Sequence, residues 1–538
     1  MNSLRHFPLG ARFPETPHAV ISSLPTMEDV RGYEEKDARV LDAMTSGYPR
    51  FVVHAFVAEL IDCLLARSGL LGRGAVLVVS APAARDLLEY VGPGASVLEV
   101  DDGLRLVHCP ASAVELFKRM TKYVQHVGCG VSSRQAEDLL LRYGRLARAH
   151  PERLFEGAAD VEVERRLAEL YGCGVADVWL CSCGMSAFYA AFRAVQGLQR
   201  SRGRTHWLQL GWLYLDSGCV LQEFLGADET LHYCYDVNAT DALLDKLAAL
   251  GDTLAGVVVE CPTNPLVQMC DLPRVSAAVR ERGGVLIVDP TVASIYNLDV
   301  LPYADIAVTS LTKYAANQGD VMIGSLALNA ASAHYPELAA RIAAYHVPPY
   351  ARDVQRLAEE MQTAAQVVAE MNRNASRLAT FLRAHPAVAA VHFAGAAPHY
   401  ASVARSAECT GVMLSIELVG SMERFYDAIA VLKGPSFGAR FTLLSPFMYL
   451  AHYDLVTEAS GRAFLRDVGI APELIRISVG AEPYVLIEAG YGKYDLELGA
   501  RESAYESSVR STLLEYADSR ATSKRWYDCT PAKSDRLF

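Results

Sequence analysis

Short apolar runs and helical patterns take turns through the middle of this chain, and no other feature constrains its fold as strongly. "DVWLCS" (177–182) leads into "GMSAFYAAFRAV" (184–195). "TLAGVVVEC" (253–261) leads into "LPRVSAAVRERG" (272–283), and "GGVLIVDP" (283–290) and "ADIAVT" (304–309) follow. Strand-length apolar runs separated by helical spacing are the pattern of βαβ units, so residues 131–330 are expected to form a mostly parallel sheet of α/β class. Before that block, "FVVHAFVAELIDCLLARSGLL" and "GAVLVVS" predict a helix and a strand in an N-terminal region, residues 1–130. After it, a helix-rich stretch leading to "GVMLSIEL" predicts a smaller C-terminal α/β region over 331–515. The polar residues 516–538 read as a tail.

A length of 538 residues suits about three domains. A net charge of −12 and a pI near 5.7 argue against nucleic acid as the main partner. The twelve cysteines are scattered, and Cys181 and Cys183 have no second pair or histidine cluster to complete a zinc site. The N-terminal "MNSLRHFPLGARFPETPHAV" lacks the apolar core of a signal peptide, and no uncharged run reaches membrane-spanning length. The expectation is a soluble protein of a reducing cytoplasm.

In an open parallel sheet, ligands bind beyond the carboxyl ends of the strands. After "DVWLCS" comes Cys183-Gly184-Met185-Ser186 at the start of a helix, whose free N–H groups and dipole suit a phosphate. Asn264 sits in the turn "CPTNP", Asp289 ends the strand "GVLIVD", and Ser310, Thr312 and Lys313 follow "DIAVT". Each has a plainer reading alone: a helix cap for Asp289, a simple turn for "CPTNP", a solvated loop for Lys313. Together they match the needs of pyridoxal phosphate, which takes an amine, an anion site and a carboxylate facing its ring nitrogen.

Four segments, "VVVECPTNPLVQMCDL", "VLIVDPTVAS", "SLTKY…GDVMIGS" and "IRISVGAE", resemble the motifs of the Cys/Met-metabolism PLP-dependent family, over residues 130–495 and in the family's order. "HAVISSLPTMEDVRGYEEKD", "SGYPRFVVH" and "GPSFGARFTLLSPFMYLAHY" look like the long fungal-type cystathionine γ-synthases. The resemblance implies fold type I of the PLP-dependent enzymes, with Lys313 as the Schiff-base lysine and Asp289 at the pyridine nitrogen. Asn264 would lie near the ring hydroxyl, Tyr214 would stack on the ring, and Gly184, Met185, Ser310 and Thr312 would hold the phosphate. Arg476 would grip the substrate carboxylate, where a planar fork suits a planar anion. Ser436 would lie near the lysine.

Other positions depart from the pattern. Of the family's Tyr-x-Arg, which reaches a neighbouring subunit's phosphate, "GVSSRQAE" supplies Arg134 without the tyrosine. Pro290 stands for the usual asparagine, Gln318-Gly319 for Gly-His, and Phe441 for a glutamate near the substrate side chain. The implied activity is γ-replacement on a γ-activated amino acid, joining an O-acylhomoserine to the cysteine thiol through a vinylglycine-type species. Two alternatives stay open: a specialised reaction with another donor, such as S-adenosylmethionine, and a non-cysteine nucleophile, or a γ-lyase. The resemblance also implies a homodimer, or a tetramer of dimers, with sites at the dimer interface.

Overall fold

A computed structural model describes residues 3–45 and 52–492, so the expected tail at 516–538 and the end of the 331–515 region lie outside the described residues. Fifteen strands are described: β1 Gly74–Val78, β2 Ser96–Glu99, β3 Arg105–Cys109, β4 Val178–Cys181, β5 His206–Leu210, β6 Thr230–Cys234, β7 Leu254–Glu260, β8 Val285–Asp289, β9 Ile306–Ser310, β10 Gly324–Leu328, β11 Val388–Phe393, β12 Met413–Leu418, β13 Leu432–Lys433, β14 Leu443–Ser445 and β15 Ile475–Ser478. They form three sheets.

The central sheet has the order β4-β10-β9-β8-β7-β5-β6. Its pairings from β9 to β6 are parallel, and β10 runs antiparallel to both β4 and β9. Helices cover both faces, so β7 is buried at every position and reads as an unbroken apolar run. The helix Gly184–Arg200 lies against one face with nearly every residue buried, placing Phe192 against Trp207 of β5 at 5.1 Å. Asp271 starts the helix Leu272–Glu281 on the other face, accepting from the Arg274 N–H at 3.2 Å, with Pro273 in the first turn. Each large apolar side chain buried in these layers contributes roughly 1.5–3 kcal/mol.

The antiparallel sheet β1-β3-β2 belongs to the N-terminal region. The helices Ala55–Arg67 and Ser133–Arg142 pack on one face through Leu60, Leu64, Leu106 and Leu139. The other face continues through Val107, Met120 and Tyr123 into the core around Phe188 and Trp207. Residues 3–24 do not join this sheet. They run as a strap along the C-terminal sheet, whose order is β11-β12-β15-β14-β13. The Leu432 amide donates to the Ser3 carbonyl at 2.7 Å, and the Leu24 amide to the Lys433 carbonyl at 3.1 Å. A continuous hydrophobic core reaches from Leu24 through the central sheet to Tyr491. Among the described residues no helix is long and apolar enough to cross a membrane.

Candidate active site

Parallel β5, β7, β8 and β9 all point the same way, so their carboxyl ends gather the polar residues that follow them. Register fixes the details: Glu260 at the end of β7 lies beside Asp289 at the end of β8. The Asp289 carboxylate accepts the Thr291 N–H at 2.8 Å, and the Thr291 hydroxyl accepts the Ser310 N–H at 3.0 Å, tying β8 to β9. Asp289 retains some surface, yet the protein packed around its carboxyl pushes its pKa up to about 6 against the pull of Thr291.

Lys313 is buried in the loop after β9. Its Nζ donates to Ser436 Oγ at 3.2 Å and stands 5.1 Å from the centroid of the Phe437 ring. The loop carrying Ser436 comes from the C-terminal sheet and closes tightly on the lysine: the Tyr314 amide donates to the Gly438 carbonyl at 2.7 Å. A Cβ at Gly438 would lie 3.0 Å from Lys313 Cβ, and its φ of +72° is a conformation that favours glycine.

Arg476, on β15, reaches the same place. Its Nη1 donates to Asn264 Oδ1 at 3.3 Å, and its Nη2 donates to the carbonyls of Pro435 and of Ser436, the latter at 3.1 Å. The rings of Phe437 and Phe447 flank the guanidinium at 5.1 and 4.9 Å. Burial lowers its pKa to about 10, which leaves it cationic at neutral pH and short of a counter-charge. Burial and the Asp289 charge beside it push Glu260 well above the usual carboxylate range. Its Oε1 accepts the Tyr214 N–H, which sets the entry to the helix Leu215–Phe224.

The helix Gly184–Arg200 begins at Cys183, whose Sγ accepts the Ser186 N–H while Ser186 Oγ accepts the Cys183 N–H at 3.1 Å. That leaves the first-turn amides of Gly184 and Met185 aimed beyond the helix end. Ser310 packs on this turn so closely that a Cβ at Gly184 would lie 2.8 Å from the Ser310 Cβ. The Thr312 hydroxyl accepts the Ile323 N–H at 3.2 Å, leaving its proton a long 3.4 Å contact to the Ile323 carbonyl. Gly184, Met185, Tyr214, Asn264, Asp289, Ser310, Thr312 and Lys313 thus fall at or just past the strand ends, where Ser436 of the C-terminal loop and Arg476 of β15 meet them.

Arg134 does not join them. Its guanidinium is 1% exposed and is occupied within its own chain by Glu152 at 2.8 Å, Asp353 at 3.0 Å and the Asp320 carbonyl at 2.8 Å. The expectation that it serves a neighbouring phosphate is corrected: it sits on the buried face of its helix and braces the loop after Lys313. A Tyr-x-Arg sequence was missed at Tyr143-Gly144-Arg145, just past the end of the same helix, where Gly144 and Arg145 are exposed. Arg145 is 56% exposed at its side chain and meets only Glu59 at 3.3 Å among the ion pairs described. The spacing itself was the signal. Phe441 is fully buried against Phe13 of the strap, ring centroids 4.4 Å apart, rather than among the site residues.

The profile of the Cys/Met metabolism PLP-dependent enzymes matches residues 152–489, which holds every strand-end residue above. The chain belongs to that family. It is 36% identical over 481 residues to the L-2-amino-4-chloropent-4-enoate dechlorinase/desaturase of Streptantibioticus cattleyicolor, covering 88% of this chain and 95% of that one. It is 27% identical to the cystathionine gamma-synthase of Neurospora crassa, covering 88% and 96%. Among solved structures it resembles the cystathione gamma lyase of Micromonospora echinospora, with a TM-score of 0.53 and 28% identity over 65% of this chain and 90% of the other. The fold is type I of the PLP-dependent enzymes, and the cofactor is pyridoxal phosphate. The residues present fit it: a buried amine, a helix start packed against Ser310, and a carboxylate at a neighbouring strand end.

Proposed function

We propose that this enzyme expels a substituent from the γ-carbon of a free α-amino acid, and that elimination rather than capture of cysteine completes its reaction. Pyridoxal phosphate, when bound, supplies an electron sink for charge developed at the α- and β-carbons. Lys313 carries the cofactor, Asp289 holds the proton on its ring nitrogen, Tyr214 and Asn264 fix the ring, and Gly184, Met185, Ser310 and Thr312 hold its phosphate. Arg476 receives the substrate carboxylate, replacing its bonds to the Pro435 and Ser436 carbonyls with a two-pronged charge-assisted pair. The amine of Lys313, oriented by Ser436, takes the proton from the α-carbon and moves a second proton at the β-carbon.

The observation that carries this reading is the convergence of Lys313 and Arg476 on one apolar wall, the Phe437 ring, each 5.1 Å from its centroid. A carboxylate on Arg476 brings the α-carbon toward the amine and leaves the side chain against aromatic surface, which suits a small uncharged γ-substituent such as a halide. The 36% identical dechlorinase/desaturase supports the same leaving group. The cystathionine gamma-synthase relative supports a second reading, replacement by the cysteine thiol.

Mass spectrometry of products from L-2-amino-4-chloropent-4-enoate and from O-acetyl- and O-succinylhomoserine, each with and without cysteine, tests the proposal. Chloride release without a cysteine adduct is expected. A thioether formed from an O-acylhomoserine at a higher kcat/KM would overturn it.

A further inference from the structure

Glu260 is a carboxylate that the chemistry above does not use. It ends β7 as Asp289 ends β8, side by side in register, at the strand ends where the other site residues gather. It is 4% exposed, and its Oε2 has no hydrogen-bond partner among the described residues. Its Oε1 holds the amide of Tyr214. The groups facing it are Asp289 on β8, Arg476 on β15, the backbone amides of Tyr214 and Asn264, and the neighbouring Cys261 with its contact Cys270. The pull of the two amides toward the charged form is outweighed by burial and Asp289.

An ionised Glu260 would set two negative charges at adjacent strand ends, and the one arginine that faces Glu260, Arg476, is needed by the substrate. Two carboxylates in such a place do not both ionise. We propose that Glu260 is a positioning residue that works as a neutral acid: its carbonyl oxygen fixes the Tyr214 backbone, and its retained proton leaves the charge of the pair on Asp289. Burial and the Asp289 charge, which raise the Glu260 pKa, agree with this assignment. The inference rests on the cofactor site and not on the identity of the substrate, so its test needs no substrate.

The experiment compares Glu260→Gln, Glu260→Ala and the wild type as holoenzymes, following pyridoxal phosphate Kd by equilibrium dialysis and the absorbance of bound cofactor against pH. Glutamine copies the neutral acid in shape and charge. Glu260→Gln is therefore expected to keep cofactor Kd within about twofold and to leave the pH profile unshifted. Glu260→Ala, losing the acceptor for Tyr214, is expected to raise Kd at least about tenfold. A Glu260→Gln profile displaced to lower pH would show that a negative charge had been removed beside Asp289, and would overturn the proposal. An unchanged Kd in Glu260→Ala would overturn the positioning role. Circular dichroism of Glu260→Ala separates misfolding from weak binding, and the Glu260→Gln profile decides the protonation state either way.

Discussion

Asp289 and Lys313 were legible in the sequence because an apolar strand that ends in a charge leaves that charge at the ligand-binding edge of a parallel sheet. Glu260 carries the same signal, ending "GVVVE", yet the resemblance assigns it no role. Asp289 makes the sharper test. Asp289→Asn keeps the shape and an acceptor for the Thr291 N–H but cannot hold a proton on the ring nitrogen. It should bind cofactor and lose turnover by about a hundredfold or more, read as kcat at saturating substrate. Turnover near the wild type would reassign Asp289 to structure. Lys433 shows what burial alone does to a lysine. Its ammonium donates to the Pro25 carbonyl at 2.8 Å and to the Asp427 carbonyl at 3.3 Å, burial lowers its pKa to about 8, and it clamps the strap instead of facing the cleft.

Among elements, the alternating block came through clearly, since β4, β7, β8 and β9 all fall on apolar runs visible in the chain. The strap did not, because several of its partners lie more than four hundred residues away: Ser3 Oγ donates to Glu482, and Phe13 packs on Phe441. No local pattern encodes such pairings. The helix Ser133–Arg142 buries one face, but which face Arg134 would take was not legible in the sequence, since arginine is ordinarily a surface residue. Its real partners make a strong stability prediction. Arg134→Ala would leave Asp353 buried without its cation and Glu152 with Arg352 alone, costing about 3–5 kcal/mol. A clear fall in denaturation midpoint is expected, and a change under about 0.5 kcal/mol would show that Arg352 and Arg356 nearby suffice.

For the whole molecule, the exposed Arg145 in the Tyr143-Gly144-Arg145 turn makes the assembly testable. We propose that the active protein is a homo-oligomer in which Arg145 meets the cofactor phosphate of a second copy, the role first expected of Arg134. Arg145→Ala and Lys313→Ala should each be nearly inactive alone. Mixed after dissociation, they should recover up to about a quarter of wild-type activity, because half of the re-formed dimers are mixed and each holds one native site. No recovery from subunits shown by mass labelling to exchange, or full activity in a monomer, would contradict shared sites.

Every proposed role at this site depends on Lys313 carrying the cofactor. Reduction of the holoenzyme with borohydride, digestion, and mass spectrometry of the labelled peptide measure this directly. The predicted result is a single pyridoxyl adduct on Lys313, absent from Lys313→Ala. An adduct on Lys433, the other buried lysine among the described residues, or no adduct at all, would contradict it.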